Sequence, residues 1–398
     1  MARKVRGNIT KMLVILNVEI DAYDLRRTEL KTATTNKAST LVNYYKMAAT
    51  KLLTDLTITA KDNIPPQYIR PLSDRPNLAD QSHGSQASIP LIDLRGLEDP
   101  RRRSEIIKQI TQACQDFGFF QLKNHGIPET EINNIVKVTR EFFKLPESER
   151  LKYYSDDPSK TTRLSTSFNV KTEKVANWRD FLRLQAYPLQ DFINEWPSSP
   201  PNFKKNVAEY CTSMRGLVLR LLELISESLG LERDYIDKAL GKHGQHMAFN
   251  YYPPCPKPEL TYGVPGHTDV GLITILLQDD VPGLQVLNNG NWVSVQPVPN
   301  TFIVNIGDQL QALSNDRYTS VLHRAVVNSG KDRVSIPTFY CPSFDAVIGP
   351  AKELIDDDHP AVYKDFTYAE YFKKFWNRDI ATESCLDLFK ATTNNNNN

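Results

Sequence analysis

From His246 to Tyr340 the chain breaks into short runs rich in Val, Ile, Thr and aromatic residues, each cut off by Pro, Gly, Asn or Asp. The runs are Met247 to Tyr252, Leu272 to Leu277, Leu284 to Leu287, Trp292 to Val295, Thr301 to Ile306, Val321 to Val327 and Val334 to Tyr340. Segments this short and this β-branched read as strands. Between two of them, Asn288-Asn289-Gly290-Asn291 is a hairpin signal, because Asn and Gly tolerate the positive φ of a tight turn. Many short strands joined in this way predict a double-sheet jelly roll.

Upstream the period changes. Ile106, Ile107, Ile110, Ala113, Cys114 and Phe117 recur at helical spacing, and Gly118 stops them. Ser88 to Leu94 and Phe119 to Leu122 read as short strands, and Ile132, Ile135, Val136 and Phe142 mark one face of another helix. Val207, Tyr210, Cys211, Met214, Leu217, Val218, Leu221, Leu222 and Ile225 form a core-facing stripe on a long helix running from near Asn202 to Leu229, with Gly230 ending it. Tyr363 to Trp376 reads as a closing helix. The expected fold is mixed α/β: an α-rich N-terminal region over 61–235, a double-stranded β-helix (jelly-roll) core over 236–350, and a C-terminal helix and tail over 351–398. Residues 1–60 are expected to be a disordered extension, with Met47 favoured as the native start over an arm beginning at Met1.

Within the strand region, His267-Thr268-Asp269 places two metal-binding side chains two positions apart, hence on one strand face. His323 follows at a separation that lets several strands return the chain to the same spot. Two imidazoles and one carboxylate make the facial triad of non-haem Fe(II) oxygenases, which leaves positions open for co-substrate and O2. Arg333 and Ser335 again share a strand face. A guanidinium fork with a neighbouring hydroxyl suits a carboxylate, so a dicarboxylate could chelate the metal at one end and anchor there at the other. His125 sits at a strand-to-turn junction without a partner at ligand spacing, and reads as structural.

The order His267-X-Asp269, His323, Arg333-X-Ser335, preceded by Asn250-Tyr251-Tyr252-Pro253-Pro254-Cys255-Pro256, resembles the plant soluble 2-oxoglutarate/Fe(II)-dependent dioxygenases over roughly residues 60–380. Within that family, Arg163 to Val170, Asn177-Trp178-Arg179-Asp180 and Tyr368-Ala369-Glu370-Tyr371-Phe372 resemble the downy-mildew-resistance-type oxygenases, a branch with roles in plant defence that includes salicylate hydroxylases and relatives acting on flavanones. The resemblance implies Fe(II) as cofactor, 2-oxoglutarate and O2 as co-substrates, ascorbate as a supporting reductant, and release of succinate and CO2. It also implies that Asn250 and Tyr252 contact the metal-bound end of 2-oxoglutarate and that Phe339 stacks on an aromatic substrate. Salicylate carries a carboxylate that needs a cationic partner when buried, and Arg163 with Ser165 is the candidate. The residues equally allow Arg163 to cap a loop or pair with Asp180. The expected reaction is hydroxylation of salicylate at C3 or C5, with the same chemistry on a flavanone as the rival.

Other classes fit less well. Catalytic zinc also accepts two imidazoles and a carboxylate, but hydrolysis gives Arg333-X-Ser335 no task, and a silent jelly-roll binding module would be expected to have lost a ligand. With 48 basic and 47 acidic residues the net charge is +1, which points to neither nucleic acid nor an anionic membrane. No apolar run approaches the roughly 20 residues needed to span a bilayer. Five scattered cysteines form no paired framework, which favours a reducing compartment. The expected protein is cytoplasmic and monomeric, with a small aromatic substrate as its partner.

Overall fold

In the computed structural model, which describes residues 52–59, 63–77, 88–166, 172–377 and 384–391, helices form where the apolar spacing predicts them. The favoured start at Met47 and the run Ser167 to Val170 lie outside those residues. The end of the expected extension does not: Leu53–Thr59 is a helix, α1, with Leu53 and Leu56 buried. The carboxylate of Asp180 holds its start, accepting from the backbone N–H of Leu53 at 2.9 Å and of Thr54 at 2.7 Å. Those are N–H groups that a helix start leaves without partners.

Helix α2 (Pro100–Asp116) begins at Asp99, whose side chain accepts from the N–H of Arg101 and Arg102. It ends because Gly118 turns the chain at φ 61°, where a Cβ would lie 2.3 Å from the carbonyl oxygen of Thr319. Helices α3 (Glu129–Phe143) and α4 (Phe203–Ser228) follow. All nine residues of the predicted α4 stripe are buried, so the stripe is core packing. Next come α5 (Asp308–Leu313) and α6 (Tyr368–Trp376). The closing helix starts five residues later than its sequence pattern suggests, because Thr367 and Glu370 form a reciprocal capping box at its head.

Twelve strands make two facing sheets. They are β1 (Leu91–Asp93), β2 (Phe119–Lys123), β3 (Thr162–Ser165), β4 (Asp180–Tyr187), β5 (Gly244–Tyr252), β6 (Val264–His267), β7 (Ile273–Gln278), β8 (Leu284–Asn288), β9 (Asn291–Ser294), β10 (Phe302–Ile306), β11 (His323–Ala325) and β12 (Arg333–Cys341). The larger sheet runs β1-β2-β10-β7-β12-β5-β4-β3 and the smaller β6-β11-β8-β9. Asn289 and Gly290, both at positive φ, form the predicted hairpin between β8 and β9. Strands β3 and β4 belong to the region expected to be α-rich, beyond the two short strands read there from the sequence. They extend the larger sheet beyond β5.

One face of the larger sheet packs on the helices: Leu182 and Leu184 of β4, Met247 and Phe249 of β5 and Val334 and Ile336 of β12 share a core with α2, α3 and α4. Alternate residues of the same strands face the space between the sheets. That space is the cavity.

Candidate metal centre and substrate cavity

Antiparallel pairing of β11 with β6 sets His323 directly opposite His267, with ring centroids 4.3 Å apart. Asp269 lies just past the end of β6 rather than in the strand, and its Oδ1 stands 3.8 Å from the Nε2 of each imidazole. Ligand atoms of the three residues fall within 4.8 Å of one another, the one such cluster of His, Cys, Asp or Glu among the described residues.

Each donor is oriented from behind. His267 Nδ1 is 2.9 Å from the carbonyl oxygen of Pro265 and His323 Nδ1 is 3.1 Å from that of Val321. A proton on each Nδ1 leaves the Nε2 lone pair aimed inward. The other Asp269 oxygen accepts from Thr274 Oγ1 at 2.6 Å and Asn305 Nδ2 at 2.8 Å. Such outer hydrogen bonds fix ring orientation and ligand basicity in metal sites. Electrostatics agree. Burial, and next the charge of His323, hold His267 well below the ordinary histidine range. Burial works to raise Asp269, but the two imidazoles and the bonds from Thr274 and Asn305 outweigh it and keep the carboxylate ionised. Two imidazoles beside a carboxylate are the donor set a divalent cation needs.

On the larger sheet, β12 pairs with β5 so that Arg333 faces Tyr252 and Ser335 faces Asn250. Arg333 is 2% exposed. Its Nε donates to the carbonyl of Val281 and one terminal nitrogen donates to Gln278 Oε1, both at 3.1 Å. The remaining nitrogen, Nη1, is buried with no partner. A buried guanidinium N–H with nothing to bond is costly, and its place beside Ser335 suits a carboxylate. Asn250 accepts from Arg179 at 2.9 Å and donates to Ser335 Oγ at 3.3 Å. Tyr252 packs under the Arg333 guanidinium, 5.1 Å from ring centroid to Cζ.

Farther along the cavity, Phe339 lines the wall, as do Phe119, Phe181 and Phe372. Arg163 also lines it, with Nε donating to the carbonyl of Ser155 at 2.9 Å and a terminal nitrogen to Ser165 Oγ at 3.2 Å. Ser165 therefore steers Arg163. Asp180 is occupied with α1 instead. His125 is structural: its ring bonds the Asn300 carbonyl and the Ile127 N–H.

Sequence reasoning quoted Arg179 within a motif without giving it a task. In the structure it is buried, with its guanidinium carbon 4.7 Å from the Phe181 ring centroid, and its Nε has no hydrogen-bond partner. Among the described residues no carboxylate pairs with it. Arg183 lies beside Arg163, and burial followed by that like charge pushes it down to about 10. The signal that could have found these cations is the alternation Arg179, Phe181, Arg183, which starts one residue before β4 and continues along one of its faces.

Residues 243–342 match the 2OG-Fe(II) oxygenase superfamily, and residues 89–202 match the non-haem dioxygenase in morphine synthesis N-terminal family. The chain is 62% identical over 350 residues to the DMR6-like oxygenase 2 of Arabidopsis thaliana, covering 87% of this chain and 100% of that protein. This chain belongs to the plant 2-oxoglutarate/Fe(II)-dependent dioxygenases, in their DMR6-type branch. The dioxygenase is also 54% identical to flavanone 3-dioxygenase 2 of Oryza sativa subsp. japonica, over 84% of this chain and 97% of that one. Its fold matches the crystal structure of JOX2 in complex with 2OG, Fe and JA at a TM-score of 0.77 and 36% identity, covering 86% of this chain and 98% of that chain. It is an oxidoreductase that depends on Fe(II), 2-oxoglutarate and O2.

Proposed function

We propose that this dioxygenase hydroxylates a small phenolic acid, salicylate, at C3 or C5. The observation that carries this reading is Arg179, a buried cation with an open N–H and, among the described residues, no carboxylate partner, in an apolar cavity that it shares with the His267, Asp269 and His323 cluster. An uncompensated buried charge calls for an anion, and an aromatic acid supplies one on a flat apolar ring.

His267, Asp269 and His323 hold Fe(II) in this proposal. When bound, Fe(II) with 2-oxoglutarate and O2 supplies the oxidising chemistry, leaving succinate and CO2. Arg333, through its open Nη1, and Ser335 anchor the distal carboxylate of 2-oxoglutarate, while Asn250 and Tyr252 border its metal-facing end. Phe339 stacks on the substrate ring, a geometry worth about 0.5–1.5 kcal/mol beyond burial. Arg163, steered by Ser165, joins Arg179 in holding the substrate carboxylate. The apolar lining excludes water, which strengthens each of these charged contacts.

The 54% identity to flavanone 3-dioxygenase 2 favours a second reading, the same chemistry on a flavanone. The five cysteines are free and buried, which supports the cytoplasm, and no helix among the described residues is long and apolar enough to cross a membrane. The deciding experiment loads purified protein with Fe(II) anaerobically, adds O2 with 2-oxoglutarate and either salicylate or naringenin, and reads products by mass spectrometry. Succinate coupled to dihydroxybenzoate is the expected result. Coupling to naringenin alone moves the substrate, and no succinate with either overturns the reading.

A further inference from the structure

His246 is a polar side chain of the cavity that neither the metal nor the co-substrate uses. It stands on β5 on the same face as Asn250, and the β5–β12 pairing sets it directly opposite Phe339. The residue is half-buried, yet among the described residues neither of its ring nitrogens makes a hydrogen bond. The other polar walls differ: Asn250, Asp269, Thr274 and Asn305 all have protein partners.

Burial, with Arg183 adding its charge, pushes the imidazole down to about 4, so the ring is neutral at physiological pH. A neutral imidazole offers one donor and one acceptor. Beside it, Phe339 presents an aromatic wall on which a flat ring can rest. A hydroxyl on such a ring can meet either function of a neutral histidine, donating to the bare nitrogen or accepting from the N–H, whereas a second carboxylate would suit the arginines instead.

We propose that His246 is a specificity-determining residue, a subsite that binds the phenolic hydroxyl of the substrate while Phe339 carries its ring. The proposal rests on the aromatic-substrate reading above and adds what selects among aromatic substrates. With the carboxylate held by Arg163 and Arg179 and the hydroxyl by His246, the ring has one orientation, and one carbon is presented to the metal. The subsite therefore sets ring position as well as selectivity.

The test compares matched pairs that differ by hydroxyl groups, salicylate with benzoate and naringenin with unsubstituted flavanone, on the iron-loaded enzyme with 2-oxoglutarate. The wild type is expected to favour the hydroxylated member by about tenfold or more in kcat/KM, since a site built to bond a hydroxyl rejects the analogue that lacks it. In His246→Phe, which keeps the aromatic wall, that ratio should fall to within about threefold, with mixed ring positions in the product. His246→Asn, which restores one donor and one acceptor, should recover part of it. Iron content and the KM for 2-oxoglutarate should stay at wild-type values in both variants. A His246→Phe enzyme that keeps the wild-type ratio and a single product overturns the proposal, as does an equal loss on both members of a pair. If the wild type oxidises only the flavanone pair, the salicylate reading falls while the ratio within that pair still decides the role of His246. Turnover of neither pair overturns both.

Discussion

At the metal end of the cavity the inward-facing groups are held by the protein: both imidazole Nδ1 atoms meet carbonyls, and one Asp269 oxygen takes two hydrogen bonds. At the β3–β4 end the reverse is true. Arg179 keeps an N–H open in a buried position, and among the described residues His246 makes no hydrogen bond. The first arrangement fixes its donors before any ligand arrives, as a centre that runs one chemistry on many substrates requires. The second is complete only with a substrate in place. The reacting centre and the substrate contacts are thus finished in different ways.

That contrast can be broken at several points. Asp269→Ala should remove metal binding and coupled turnover together, measured as iron content and succinate; an iron-loaded, active variant would dismantle the metal end as described. Arg333→Gln should raise the KM for 2-oxoglutarate by roughly 150- to 4,000-fold, the ~3–5 kcal/mol typical of losing one partner of a buried ion pair. Asn305→Ala should weaken iron binding about 10–100-fold, as expected for a ligand that loses its orienting bond, with titration of iron into the apoprotein as the readout.

Arg179→Met sharpens the comparison because its two effects have opposite signs. The KM for salicylate should rise about tenfold, from the loss of a charged hydrogen bond, while the ligand-free protein should melt about 2 °C higher for each kcal/mol of relieved burial. A lower melting point would mean that the cation is satisfied by the protein after all.

The smallest effect is on pH dependence. His246 titrates near 4 in the fold against 6.5 when unfolded, so between those values the unfolded chain binds more protons and stability rises with pH. Asp180, raised to about 6 chiefly by burial, opposes this: the folded state holds its proton longer, and stability falls as pH climbs from 3.8 to 6. His246→Phe should therefore make the slope of stability against pH more negative between pH 4 and 6.5, by at most about 1.4 kcal/mol per unit, read from denaturant midpoints.

The same contrast explains what the sequence disclosed. His267, Asp269 and His323 are legible because few residue types bind a metal and their spacing is restricted, and the long stripe of α4 is legible because its outer positions are polar. Strand β4 is hidden. Leu182 and Leu184 pack on helices while Phe181 and Arg183 face a cavity, so both faces are covered and the polar alternate positions signal no solvent. The tasks of Arg179 and His246 were hidden with it, since each depends on which strand lies alongside. The start of α6 went astray because a capping box, not the apolar period, decides where a helix begins.

Strand β12 carries Arg333, Ser335 and Phe339 on a single face, and this makes it a ruler. At about 3.3 Å per residue, the six residues from the carboxylate anchor to the aromatic wall span about 20 Å, marked off in steps of about 6.6 Å. Two molecules laid end to end must share that length, so a bulkier substrate cannot be admitted by sliding the co-substrate along the strand. Relatives that accept longer molecules are then expected to differ where the scale stops, near Phe339 and α6, and to keep its divisions. Inserting one residue between Ser335 and Phe339 would turn the far marks to the helix side, and the enzyme would bind its co-substrate while losing its measure of everything else.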